Sequence, residues 1–204
     1  KSRAQGKPVD KASIAVKTLA VDVLASGEFC NPRRRVAHLL TMYGFILYVV
    51  TTALMVFAYP TAATPTPAVV AQLWWLGGLM VMVGGYWFWF FIRVDVAAEG
   101  SSPLRFMRAD LFIVSMLASV TTGLLWAWLQ ASGSAASWIF FGLYLLATTV
   151  LFGGVYWSKF AHMFFKPAAA FDKRIAEADG TNMNLPLLSR DDPAQRERHS
   201  MELL

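Results

Sequence analysis

Two of the three histidines in this 204-residue chain stand where an imidazole can do chemistry. His38 lies in RRRVAHLLTMYG and His162 in YWSKFAHMFFKP, each where a basic stretch meets an apolar one; His199, in the charged segment RERHS, reads as solvated. Ionisable side chains at the edge of membrane helices are costly and mark function by default. A neutral imidazole is also a good axial ligand for haem iron. If both segments are membrane helices entered from the same side, the two imidazoles lie at matching depth and can hold one b-type haem, so His38 and His162 are the candidate iron ligands. Arg34, Arg35, Lys159 and Lys166 stand beside them as cationic partners for haem propionates. Gly44, Gly153 and Gly154 are small residues where a flat macrocycle can approach a helix backbone. The competing reading is that each imidazole snorkels among its basic neighbours to the headgroups. One haem is the ceiling for bis-histidine ligation.

Other groups carry weaker signals. A quinone carbonyl needs a hydrogen-bond donor beside an apolar slot, and Tyr43, Tyr156, Trp157, Ser158 and Lys159 are the candidates. Cys30 is the sole cysteine. No intrachain disulfide, cysteine zinc site or self-contained iron–sulfur cluster can be built from it, so any such cluster belongs to a partner. Methionines such as Met42, Met80 and Met116 read as core packing. The pairs Gly77–Gly78, Gly84–Gly85 and Gly153–Gly154 read as close helix packing, and WWLGG and YWFWFF as aromatic belts. Arg93 with Asp95, and Arg108 with Asp110, read as loop ion pairs. No Ser/His/Asp triad, Walker loop or metalloprotease motif is present, and no catalytic residue is expected.

The elements that must position these groups follow from composition. The chain is 56% hydrophobic and 15% charged, with eight Trp and fifteen Phe. That is too apolar for an ordinary soluble domain. No Lys, Arg, Asp or Glu occurs between Val36 and Ile92 or between Leu111 and Ser158. Each stretch accommodates two spans of about 20 residues, separated by turns at Tyr59–Pro67 and Gln130–Ser137. Backbone groups in lipid must pair within their own segment, so the spans are helices. The expected fold is an all-α integral membrane protein, a four-helix bundle with spans near 36–59, 70–92, 107–130 and 138–165.

All 18 Lys and Arg fall in 1–35, 93–108 and 159–204, and none in the two remaining loops. This positive-inside pattern puts both termini and the middle loop in the cytoplasm. The net charge of +5 reflects that bias, and nothing resembles a nucleic-acid-binding surface. Residues 1–35 lack the apolar run of a secretory signal. Within them, 9–27 places Ile14, Val16, Leu19, Val23 and Leu24 at helical spacing, an amphipathic helix for the membrane surface or a partner, and Pro32 fits the start of the first span. The expected organisation is a flank over 1–35, a membrane domain over 36–166 and an extended, partner-binding tail over 167–204, with NLPLLSR (Asn184–Arg190) as its docking segment.

The segments RRRVAHLLTMYGFILYV and YWSKFAHMFFKPAAAF resemble the cytochrome b-like membrane subunits of the nitrate reductase gamma type. Among their variants the chain is most similar to the stand-alone membrane anchor of adenylylsulfate reductase, and then to the membrane subunits of the quinone-interacting oxidoreductase and heterodisulfide reductase of sulfur metabolism. The resemblance covers roughly residues 15–170. It implies a multi-pass subunit of a bacterial or archaeal cytoplasmic membrane, not catalytic alone, that passes electrons between a cytoplasmic iron–sulfur or flavin enzyme and membrane quinone. Five spans and two haems mark the nitrate reductase type; four spans and only His38 and His162 leave at most one haem here. Three functions compete: a haem-bearing electron relay, an anchor without haem or one that binds quinone directly, and a small transporter. The last needs ionisable groups near the midplane, where the spans offer only serines and threonines such as Thr51, Ser115, Ser119 and Thr148. Such hydroxyls usually bond to their own helix backbone.

Overall fold

A computed structural model of the chain describes residues 8–26, 31–61, 63–94, 100 and 102–181. Cys30, Asp95, His199 and the segment 184–190 lie outside them. The described residues form helices and no strand. They fall into two compact units, Val36–Phe160 and the pair Lys1–Arg35 with Ala161–Leu204.

The larger unit is built on four apolar helices: α2 (Pro32–Ala58, whose first turn belongs to the other unit), α3 (Ala68–Trp87), α4 (Leu111–Ala131) and α5 (Ser137–Gly153). Pro32 opens α2 behind an Asn31 cap, whose Oδ1 accepts from the backbone N–H of Arg33 at 2.9 Å and of Arg34 at 3.3 Å. Proline has no N–H to strand at a first helical position, and asparagine satisfies the donors that follow. Three helical stretches are long and apolar enough to cross a membrane: Pro32–Ala58, Ala68–Ile92 and Arg108–Ala131. The fourth departs from the expected 138–165. α5 stops at Gly153 after 17 residues, about 25 Å at the α-helical rise and short of a ~30 Å hydrocarbon core. Two short 3₁₀ turns, Val155–Trp157 and Lys159–Ala161, follow it, with extended backbone at Ser158.

Glycines set the spacing of this unit. A Cβ on Gly44 of α2 would lie 2.7 Å from Met80 Cβ and 2.8 Å from the Gly77 carbonyl oxygen. A Cβ on Gly77 would lie 2.8 Å from the Tyr48 nitrogen, and one on Gly84 2.7 Å from the Ala37 carbonyl oxygen. The second member of each α3 pair faces α4: Gly78 meets Leu124 and Gly85 meets Leu117. Two neighbouring residues on a helix point about 100° apart, so each glycine pair serves two partner helices at once. α4 and α5 form a hairpin whose turn needs Gly133 at φ 70°, a conformation glycine adopts without steric cost. Phe45 of α2 closes the bundle, 6.5 Å from the Phe112 ring of α4 and 6.4 Å from the Phe152 ring of α5.

Hydroxyls do more than the sequence suggests. Thr51, Thr122 and Thr149 bond back to carbonyls of their own helix. Three bonds cross between helices: Trp74 Nε1 donates to Thr52 Oγ1 at 2.9 Å, Tyr86 pairs with Thr121 at 2.9 Å, and Ser119 with Thr148 at 2.7 Å. The outer faces carry Phe57, Leu79, Val83 and Leu146 in exposed positions. Apolar side chains outside and hydroxyls inside suit lipid as the solvent. The aromatic runs are only partly belts, because Trp74 and Trp89 are buried and Trp74 stacks on Tyr48 at 4.9 Å.

The smaller unit pairs the two flanks. α1 (Lys11–Lys17) continues as a π-helical stretch over Thr18–Leu24. Asp10 caps it through Oδ1, which accepts from the backbone N–H of Ala12 at 3.1 Å. It packs against α6 (His162–Asp179), a helix that runs through Pro167 to a left-handed Gly180. The tail expected to be extended from 167 is therefore helical as far as Asp179. The reason lies in Arg174, whose Nε and Nη2 donate to the two carboxylate oxygens of Asp22 at 2.7 and 2.9 Å. That bond holds the Arg174 guanidinium above its ordinary pKa. A partner helix supplies what the tail lacks alone. Along the first helix Thr18 is buried and Ile14, Asp22 and Val23 are half-buried, whereas Val16, Leu19 and Leu24 stay exposed.

The glycine contacts give a graded prediction. Gly77→Ala puts a methyl group against α2 backbone and should cost about 1–3 kcal/mol, the usual range for overpacking. Gly85→Ala meets chiefly a Leu117 methyl and should cost less. Gly142→Ala meets nothing within 4 Å and should be neutral or gain up to about 1 kcal/mol of helix propensity. Unfolding of the detergent-purified chain by denaturant measures all three; equal losses would refute the packing account.

Candidate functional site

The best-formed polar site in the larger unit is one the sequence misassigned. Arg93 is fully buried at the end of α3, and Asp110 is nearly so at the start of α4. Arg93 Nη2 donates to Asp110 Oδ2 at 2.6 Å and to the Arg105 carbonyl at 2.7 Å, and Nη1 donates to the Ser102 carbonyl at 2.8 Å. Asp110 Oδ2 also accepts from the Met107 N–H at 2.9 Å. Asp110 therefore pairs not with Arg108 but with Arg93, 17 residues away; the expected partner of Arg93, Asp95, lies outside the described residues. A buried guanidinium needs acceptors on several sides. Only a carboxylate together with two loop carbonyls provides them here.

Local backbone brings this about. The turn that continues α3, Phe88–Ile92, is π-helical, and the Arg93 N–H reaches the Phe88 carbonyl at 2.8 Å. The wider turn sets Trp89, Ile92 and Arg93 together on the buried side. Trp89 stacks on Phe106 with centroids 5.7 Å apart, and the Arg93 Cζ lies 4.1 Å from the Trp89 ring centroid. Arg93 Nε has no acceptor among the described residues, so the ring face is what this side of the guanidinium meets.

The haem candidates are placed as follows. His38 is half-buried near the start of α2, one position beyond the buried Ala37 that packs on Gly84. His162 opens α6 in the other unit, and its side chain lies outside the described residues. Arg34 is half-buried; Arg35 is exposed and donates its Nε to the Ala25 carbonyl at 2.9 Å, closing the end of the first helix. Lys159 and Lys166 are exposed and engaged. Two imidazoles with cations beside them suit a b haem as a donor set. The glycines do not supply its cradle: Gly44 is filled by α3, and a Cβ on Gly154 would lie 2.7 Å from the Val150 oxygen and 3.1 Å from Leu111 Cδ2. Gly153 alone opens onto free space. No group of three or more metal-ligating side chains occurs among the described residues.

The quinone candidates are not brought together. Tyr43 lines a shallow groove of about 370 Å³ with Ile46, Leu47, Val50 and Met80. Trp157 lines a different one, of about 520 Å³, with Phe106, Met107, Arg108, Asp110, Leu111 and Val114. Tyr156 is exposed and meets Trp157 edge-on at 5.7 Å; Ser158 is half-buried. No protein-family model, curated protein or solved structure matches the chain.

The Arg93–Asp110 pair predicts an asymmetric response. Asp110→Asn leaves a buried guanidinium without its counter-charge and should cost about 3–5 kcal/mol. Removing both charges, as Arg93→Met with Asp110→Leu, should cost clearly less than either single change. Limited proteolysis within 95–107 reads the loosening of the loop, and an additive double variant would contradict the pairing.

Proposed function

We propose that this chain is a membrane-anchoring, electron-transfer subunit of an oxidoreductase complex, docking a cytoplasmic iron–sulfur or flavin enzyme at its charged end. The observation that carries this reading is the confinement of every Lys and Arg to 1–35, 93–108 and 159–204 along the chain. Apart from the histidine near the start of α2, the apolar stretches hold no Lys, Arg, Asp, Glu or His. The Arg93–Asp110 pair, with the Ser102 and Arg105 carbonyls, ties the end of α3 to residues 102–110, and Asp22–Arg174 joins the two flanks. A transporter needs ionisable groups at depth, and the core presents tyrosines and hydroxyls bonded between helices instead. In this reading α5 with its following turn is the fourth crossing, since termini on one side require an even number.

His38 and His162 are the residues that would hold one b haem, with Arg34, Arg35 and Lys159 nearest in sequence to its propionates. Such a group supplies one-electron transfer to quinone when bound; the chain's part is to position it and exclude water. The resemblance to nitrate reductase gamma-type subunits, and to the anchor of adenylylsulfate reductase, supports this assignment. The packing of Gly44 and Gly154 favours a second reading, an anchor without haem.

A pyridine haemochrome assay on the detergent-extracted complex separates the two. About one b haem per chain, lost in both His38→Ala and His162→Ala, is the expected result for the relay. A complex that stays assembled and active without a haem spectrum leaves the anchor alone. Cysteine-accessibility labelling at Ser101, Thr64 and Ser134 tests the topology: the first should label from the cytoplasm and the other two from outside.

A further inference from the structure

The 520 Å³ groove beside the start of α4 has a composition that the electron-transfer reading does not use. Its walls are apolar: Phe106, Met107, Leu111, Val114 and Trp157. Its polar groups are Arg108 and Asp110. Asp110 is neutralised by Arg93 and holds the Met107 N–H. The Arg108 side chain is exposed and has no hydrogen-bond or ion-pair partner among the described residues. The groove thus presents one uncompensated positive charge over an apolar slot. Arg105, whose exposed side chain likewise has no hydrogen-bond or ion-pair partner among the described residues, stands three residues earlier, flanked by the exposed side chains of Leu104 and Phe106.

We propose that this groove binds an anionic phospholipid, with Arg108 and then Arg105 on the phosphate and an acyl chain along Leu111, Val114 and Trp157. The place in the fold selects this occupant. The groove lies where a helix long and apolar enough to cross a membrane begins, at Arg108, so headgroups and acyl chains are the surrounding solvent. A zwitterionic lipid brings the same phosphate but with its own cation beside it, so its net charge is zero; an anionic one fills the slot and brings an uncompensated negative charge to the guanidinium, and basic pockets at helix ends are where anionic headgroups bind. The Trp89–Phe106 stack and the Arg93 clamp on the Arg105 carbonyl hold the segment in place before a lipid arrives, which lowers the ordering cost of binding.

The test uses the full chain purified in a neutral detergent, with native mass spectrometry and thermal unfolding read during titration with phosphatidylglycerol or phosphatidylcholine. Phosphatidylglycerol should be retained preferentially and raise the midpoint. Arg108→Gln should weaken its half-saturation roughly fivefold, about the worth of one cation at an anionic membrane surface, and Arg33→Gln, an exposed arginine of the other unit, should not. Val114→Trp, which fills the slot and keeps the charge, should also weaken binding and covers the case where Arg108→Gln folds poorly. Equal retention of phosphatidylcholine, an unchanged Arg108→Gln, or a salt-insensitive preference for a neutral quinone analogue would each overturn the proposal. The inference rests on membrane insertion, read separately in the same preparation by detergent-dependent extraction. Failure to need detergent removes insertion, whereas loss of lipid selectivity alone removes only this site.

Discussion

The close approach of α3 to two neighbours at once is the constraint on which the bundle depends. Gly77 and Gly84 admit α2 backbone, and Gly78 and Gly85 admit leucine side chains of α4. In lipid, helices gain nothing from hiding apolar surface from one another, because the surroundings are equally apolar. Association has to come from contact area and from hydrogen bonds between helices. Glycine permits the first by letting backbones meet, and the Trp74–Thr52, Tyr86–Thr121 and Ser119–Thr148 bonds add the second. Phe45 and Met116 then fill what the glycines leave.

The charged end follows a different rule. Arg93 sits at the limit of an apolar helix, where an unpaired guanidinium is costly. The π turn at Phe88–Ile92 carries it inward, and Asp110 with two carbonyls receives it. One pair consequently ties the end of α3 to the start of α4 and, through the Ser102 and Arg105 carbonyls, to the segment that leads into it. With Arg93 and Asp110 satisfied by each other, Arg108 is left to face outward. The groove beside it takes its charge from that division of labour.

Much of the fold was legible. Long uncharged runs, bounded by Pro- and Gly-rich turns, place the first three apolar helices and the start of the fourth to within a few residues, since lipid leaves the backbone no alternative to helix. The helical course of the first flank is legible from its spacing, although Thr18 is the residue the helix buries, Ile14, Asp22 and Val23 are half-buried, and the apolar Val16, Leu19 and Leu24 stay exposed. The end of α5 was not legible, because a Gly–Gly pair can lie inside a membrane helix or end one. Nor was the helical course of 167–179, where Pro167 reads as a break and only the Asp22–Arg174 pair reveals a partner. For the candidate site, the residue types were visible but their use was not. Gly44 and Gly154 look equally suited to a cofactor or a neighbouring helix until the neighbour is seen.

By itself the sequence determined the class of solvent, the number and approximate bounds of the apolar helices, and the segregation of charge, because these depend on composition along the chain and on the cost of exposing backbone to lipid. Tertiary structure decided which charges pair and which glycines meet a helix. Both are contacts between residues distant in the chain: Asp110 has a cation two residues away in Arg108, yet the one it pairs with, Arg93, lies 17 residues away, where the previous helix ends. Spacing along the chain constrains which side chains share a helix face. It carries no information about which face a second helix will occupy.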